Sequence, residues 1–248
     1  MKKFEIITIF PELFADYTKI GIIARAQKNK AISIRAHDLR SVTKDPHQTV
    51  DDRPYGGGAG MVLKPDILQK AIKKVAGRSR MAKAGKYAGA KSATKQRLIL
   101  LTPQGQKFDQ AAAKRLAKYD KLIFICGRYE GFDERVRSMV DEQFSIGDYV
   151  LMGGELPALV MIETIARFVP GVVGKMQSTV DETFGDASKR GLKSLLEYPQ
   201  YTRPEVLKVG KRNMRVPKVL LSGNHKAIED WRFEQALKKT KKQRPDIL

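Results

Sequence analysis

Residues 122–131 read Leu-Ile-Phe-Ile-Cys-Gly-Arg-Tyr-Glu-Gly, and residues 145–156 read Ser-Ile-Gly-Asp-Tyr-Val-Leu-Met-Gly-Gly-Glu-Leu. The first five are an unbroken apolar run of β-forming residues, the composition of a strand buried in an α/β sheet. The run stops at Gly127, where polar and aromatic residues begin. A second apolar-to-glycine stop comes at Ile146-Gly147, and Gly153-Gly154 follows. Strand ends that break into glycine turns are where open α/β sheets bind ligands, because the backbone can approach closely there. Two such turns this close in sequence predict one pocket built from neighbouring strand ends.

Working outward, residues 4–10 and 31–37 have the patterns of two further strands. Between them Pro11 is placed to open a short helix, and residues 20–28 form another. A polar stretch over 38–60 ends in Asp-Asp-Arg-Pro-Tyr-Gly-Gly-Gly-Ala-Gly, and Lys64-Pro65-Asp66 starts a helix through about residue 75. A strand at 97–101 breaks at Thr102-Pro103-Gln104-Gly105, and a helix over 108–118 leads to the central strand. A further helical segment separates the two quoted turns. Residues 155–168 form an apolar helix whose only charges are Glu155, Glu163 and Arg167, ended by Pro170-Gly171. Strands alternating with helices to residue 168 predict a mainly parallel α/β sheet. Residues 174–197 turn polar and are expected to be an interdomain linker. The remaining 198–248 read as a small, basic, all-helical domain, its clearest helix N-capped near Ser222.

The chain has 248 residues and a formal net charge of +20, with a sequence pI near 10.0. Such an excess points to a polyanionic partner, nucleic acid foremost. No acidic residue occurs between Ile67 and Phe108, and residues 77–96 read as a mobile basic loop. No apolar run approaches the roughly 20 residues of a membrane span, and the N-terminus lacks a signal-peptide pattern. With one cysteine, Cys126, and three scattered histidines there is neither a disulfide framework nor zinc-like spacing. Cys126 reads as a small buried hydrophobe, and a cytoplasmic protein is expected.

Two motifs mislead. Residues 85–92, Gly-Lys-Tyr-Ala-Gly-Ala-Lys-Ser, approach a P-loop but have Ala90 where glycine is needed, and they precede a strand. The glycines at 56–60 suggest a dinucleotide fingerprint but follow no strand. That run reads either as a tight turn or as a loop lying flat on a planar ligand while carboxylates read its donors.

The motifs Asp-Asp-Arg-Pro-Tyr-Gly-Gly-Gly-x-Gly-Met, Pro-Gln-Gly, Gly-Arg-Tyr-Glu-Gly, Ser-Ile-Gly-Asp-Tyr-Val-Leu-x-Gly-Gly-Glu-Leu-Pro and Tyr-Pro-Gln-Tyr-Thr-Arg-Pro-Glu occur in order. Together with Leu-Leu-Ser-Gly-Asn-His and the terminal Arg-Pro-Asp-Ile-Leu, they closely resemble the bacterial tRNA (guanine-N1)-methyltransferases of the SPOUT superfamily. The resemblance implies a SPOUT fold with a deep trefoil knot over 1–173, followed by the linker and a helical tRNA-binding domain. It implies methylation of N1 of guanosine at tRNA position 37, with S-adenosyl-L-methionine as donor, by a homodimer whose active site combines both subunits. An association with Mg2+ comes from the resemblance alone, and no metal-ligand cluster is visible in the sequence.

Carried over residue by residue, the donor site would comprise Leu101, Thr102, Pro103, Gln104, Gly105, Gly127, Tyr129, Glu130, Gly131, Ser145, Ile146, Gly147, Tyr149, Leu151, Gly153 and Gly154. Asp51 and Gly60 would hold the target base. Methylating N1 requires a base for its proton and a cation near O6. The family's arginine before Pro-Gly matches Arg167. Its aspartate base falls on Glu182, within Asp181-Glu182-Thr183-Phe184, so the base is expected to be Glu182 or the neighbouring Asp181. Other departures are Ala59 in place of a common proline, Met152 in place of serine, the basic insert and a lengthened linker. Two rival readings are a non-catalytic basic RNA-binding protein on the same scaffold and a SPOUT methyltransferase acting on another RNA position.

Overall fold

The computed structural model describes residues 1–77, 95–174, 182–185, 192 and 194–248. The insert at 77–96 (except its ends), the P-loop-like residues 85–92 and Asp181 lie outside the described residues. The chain divides into two compact units, Met1–Gly174 and Lys175–Leu248.

In chain order the first unit runs β1 (Lys2–Thr8), α1 (Gly21–Lys28), β2 (Ile32–Asp38), β3 (Asp51–Asp52), β4 (Val62–Leu63), α2 (Pro65–Ala76), β5 (Gln96–Lys107), α3 (Gln110–Leu116), β6 (Lys121–Cys126), β7 (Glu142–Ser145) and α4 (Glu155–Ala166). Five strands form one parallel sheet in the order β2-β1-β6-β5-β7. This is the mainly parallel α/β sheet expected from the alternation of elements. Its centre is apolar on both faces because the strand period of two sends alternate residues each way. Phe4, Ile6, Ile99, Leu101, Leu122, Phe124 and Cys126 pack with residues of α1, α3 and α4. Ile7, Leu98, Leu100, Ile123 and Ile125 pack against α2. Cys126 is buried, and burial, followed by the charge of Glu155, pushes its thiol pKa well up.

Several boundaries differ from the sequence reading. β1 ends at Thr8, and Pro11 opens a short 3-10 turn, Pro11–Phe14. The segment between the two glycine turns contains a 3-10 turn, Glu134–Met139, capped by Asp133 and followed by the edge strand β7. β5 continues beyond Leu101. Its register against β7 shifts between Leu101 and Gln106, so residues 102–105 loop out between two paired stretches of one strand. A Cβ on Gly105 would meet the backbone N of Phe144 at 2.5 Å. Glycine is needed there for strands to approach.

The second unit contains β8 (Val206–Val209), β9 (Arg212–Arg215), α5 (Lys218–Leu221) and α6 (His225–Gln243). It is therefore not all-helical. β8 and β9 form an antiparallel hairpin turning at Gly210, whose φ of +61° suits a tight turn. The basic composition of this stretch concealed its Val206-Leu207-Lys208-Val209 strand pattern. The long helix is N-capped by Asn224, which accepts from Ala227 N at 3.1 Å, whereas Ser222 caps the C-terminus of α5. Trp231 of α6 packs on Tyr201, ring centroids 6.4 Å apart. The described residues of the expected linker join this unit. Phe184 N donates to Leu195 O, Glu197 N to Thr183 Oγ1, and Leu196 N to Thr240 Oγ1.

Candidate active site

The looped-out residues 102–105, the turn after β6 and the turn after β7 surround one cavity of about 420 Å³. Every donor-site residue expected from the sequence lines it except Gly105 and Gly147. Gly105 serves the strand contact described above. Gly147 sits inside its own turn, where a Cβ would strike the Tyr149 ring. That turn is pinned by Ser145, whose Oγ donates to Gly147 O at 2.8 Å, while Tyr149 N donates to Gly147 O at 3.0 Å.

Glycine is required by contact at the cavity's inner end. Gly154 N donates to Gly127 O at 2.9 Å, and a Cβ on Gly154 would lie 2.7 Å from Cys126 Cα. The turns after β6 and before α4 therefore touch backbone to backbone. Tyr129 adopts a φ of +59°, an unfavourable conformation for a non-glycine residue, at the lip of the cavity.

Asp51 and Gly60 are far from these loops in sequence and do not line the cavity, but β4 ties their loop to the turn after β6 that does. Asp51 pairs with Leu63. Leu63 N donates to Gly131 O at 3.0 Å, Asp133 N to Leu63 O at 3.2 Å, and Glu130 N to Met61 O at 3.0 Å. Gly60, at φ +82°, abuts the Glu130 side chain. The glycine-rich loop is thus stitched to the strand-end loop by three backbone hydrogen bonds. Asp133, which caps the turn behind it, is held below the usual carboxylate range by its hydrogen bond from Arg135.

Sequence reasoning missed the charged groups that support this wall. Arg128 lines the cavity and donates from Nε to Glu155 Oε2 at 2.9 Å. Glu155 is 1% exposed, and its other oxygen accepts from Thr8 Oγ1 at 2.7 Å. The Arg128 guanidinium carbon lies 4.6 Å from the Phe10 ring centroid. Arg137 also lines the cavity. It donates to Gln104 on the looped-out segment, to Gln143, and to Glu134 at 2.7 Å. The only signal for these in the sequence was the placement of arginine and glutamate inside glycine turns.

Arg167, the cation expected near O6, does not line this cavity. Arg167 caps the far end of α4, a helix whose first turn supports the cavity. At 1.5 Å per residue its 12 residues place Arg167 about 18 Å from that end. Glu182 belongs to the second unit, where its carbonyl accepts from Gly185 N at 2.7 Å. Among the described residues, no cluster of three or more His, Cys, Asp or Glu stands ready to hold a metal ion. None of their helices is long and apolar enough to cross a membrane.

Comparison with known proteins gives the family. The family described as tRNA (Guanine-1)-methyltransferase TrmD matches residues 1–248. A tRNA (guanine-N(1)-)-methyltransferase of Pasteurella multocida is 47% identical over 244 residues, 98% of this chain and 90% of the relative. Enzymes of the same name from Cronobacter sakazakii and from Escherichia coli O139:H28 are each 48% identical, covering 98% of this chain and 86% of theirs. With a match along its whole length and relatives this similar, the chain belongs to the tRNA (Guanine-1)-methyltransferase TrmD family.

Proposed function

We propose that this protein methylates N1 of guanosine at position 37 of tRNA, working in the cytoplasm as a homodimer with a shared active site. The observation that carries the reading is a cavity in which three strand-end loops meet, one of them hydrogen-bonded to the segment that follows the Asp51–Gly60 loop. The residues fit S-adenosyl-L-methionine, the donor the family's chemistry implies. Gly127 and Gly154 let the cavity walls pack closely, backbone groups at strand ends are available to a purine edge, and Glu130 offers a carboxylate to a cationic ligand. When bound, that donor supplies a methyl group activated by a sulfonium.

The remaining chemistry belongs to the chain. N1 of guanine carries a weakly acidic proton, which Glu182, or else Asp181, removes. Arg167 steadies the negative charge that gathers on O6. Asp51 and Gly60 hold the base at the rim. The net charge of +20 draws the tRNA backbone.

Sharing of the site explains why Arg167 sits an α-helix away from the cavity of its own chain. Val150, Met152, Leu156 and Val160 form an exposed apolar run from the cavity lip along α4. A second copy covering that run would bury it and bring its own Arg167 and linker residues to this cavity.

Calorimetric titration with S-adenosyl-L-methionine tests the donor assignment, since an RNA-binding protein without catalysis would give no binding. Single-turnover methylation by Glu182→Gln and Asp181→Asn tests the base. Glu182→Gln is expected to lose about 10²- to 10⁴-fold, and near-native turnover by Glu182→Gln with loss in Asp181→Asn would move the role to Asp181.

A further inference from the structure

Two arginines line the cavity, and only one is already spent. Arg137 has each of its three guanidinium nitrogens engaged, donating to Glu134, Gln143 and Gln104. Arg128 is held at one nitrogen only. Its Nε is fixed on the buried Glu155, itself fixed by Thr8, and its plane rests on Phe10. A Cβ on Gly153 would lie 2.5 Å from Glu155 Oε2 and would overlap the guanidinium, so the turn above the pair closes directly on it. Among the described residues, the two terminal amino groups of Arg128 take no hydrogen bond. Its side chain is 23% exposed, at the cavity wall. A guanidinium clamped at Nε and on one face, with both amino groups unused, is set to receive a carboxylate end-on through two charge-assisted hydrogen bonds.

Resting on the reading of the cavity as the donor site, we propose that Arg128 binds the α-carboxylate of the donor's methionine tail. That tail carries a sulfonium and, on its α-carbon, both an ammonium and a carboxylate, and the cavity offers both signs of charge to match. Glu130 meets the cationic part, and Arg128 is the only cavity-lining cation among the described residues with both terminal amino groups unbonded for the anionic part. The buried Glu155 has a defined purpose in this arrangement. It sets the orientation of the arginine without consuming the amino groups that face a ligand, and Thr8 prevents it from turning away. The same guanidinium chemistry could instead receive an RNA phosphate, and the experiment below separates the two sources.

The test is a binding cycle by calorimetry, with no turnover involved. The ligands are S-adenosylmethionine, its decarboxylated form and 5′-methylthioadenosine, which lacks the whole amino-acid tail. The proteins are the native chain and Arg128→Lys, which keeps a cation beside Glu155 but loses the two-pronged end. The native chain is expected to bind the carboxylated donor about 10- to 100-fold more tightly than the decarboxylated one. Arg128→Lys should bring that ratio close to one while binding 5′-methylthioadenosine within about twofold of native, the scale of a contact not made by the variant side chain. An unchanged ratio in the variant overturns the proposal, as does an equal loss for all three ligands, which would make Arg128 a purely structural residue. A fall in tRNA affinity with donor binding intact also overturns it and assigns the arginine to phosphate. A native chain that binds none of the three ligands overturns the donor-site reading itself, and this proposal with it.

Discussion

A Cβ placed on Gly60 would come within 2.5 Å of Glu130 Cγ, so the loop ending at Gly60 and the turn carrying Glu130 meet where no side chain fits. Gly60 also has a φ of +82°, a conformation that costs an L-residue about 1–2 kcal/mol. Gly60→Ala should therefore displace the Glu130 side chain and lower kcat/KM by at least about tenfold, with a drop in stability of about 1–2 kcal/mol. Steady-state kinetics beside urea unfolding checks this. Native kcat/KM in the alanine variant would show that the contact between the loops is dispensable.

Thr8 and Glu155 are 147 residues apart, yet Thr8 Oγ1 provides one of the two hydrogen bonds that, among the described residues, satisfy a carboxylate buried to 1% exposure. Thr8→Val leaves that oxygen unpaired and should cost about 1–3 kcal/mol in urea unfolding. Thr8→Ser, which keeps the hydroxyl, should recover most of the loss. Equal stability of the valine variant and the native chain would contradict the role given to this bond.

Glu5 on β1 is bonded to His37 on β2 at 2.5 Å. Burial pushes the Glu5 carboxyl up, but the hydrogen bond and charge of His37, with Lys121 and Arg35, outweigh it and hold the pKa below its ordinary 4.5. A carboxylate with a depressed pKa contributes stability that is present above its unfolded value and lost as pH falls through the folded one. His37→Ala should thus cost about 1–2 kcal/mol near neutral pH, and the difference from native should shrink as pH falls below 4.5. Unfolding at a series of pH values measures it. A difference independent of pH would contradict the coupling.

If the site is shared, defects in different halves should complement. Arg167→Ala and Glu130→Ala homodimers are each expected to be impaired. After unfolding and refolding together, half the dimers should be mixed, each with one site carrying both native residues. About a quarter of native activity is then expected. A mixture no more active than its components would place both residues in the same chain's site.

The parts of this molecule legible in the sequence are those where local pattern and tertiary fate agree. β6 was readable because both faces of its run are buried, and the glycine turns because close backbone approach leaves a mark in residue type. β7 was readable only at its end, by the stop at Ile146-Gly147, since its Glu142 and Gln143 are polar and only Phe144 and Ser145 are buried. The hairpin at Val206–Arg215 was hidden by its lysines and arginines. The Thr8–Glu155–Arg128 chain was illegible for a different reason: its members lie 27 and 147 residues apart and nothing local records their meeting. The bulge at 102–105 shows a limit in the other direction. Gly105 and Gln104 are adjacent, but one packs on a strand and the other lines the cavity.

The most direct measurement is to treat tRNA carrying guanosine at position 37 with the protein and labelled S-adenosyl-L-methionine, digest it, and locate the label by mass spectrometry. A single methyl on N1 of that guanosine is predicted. Label on any other nucleotide, or on a ribose oxygen, would contradict the account.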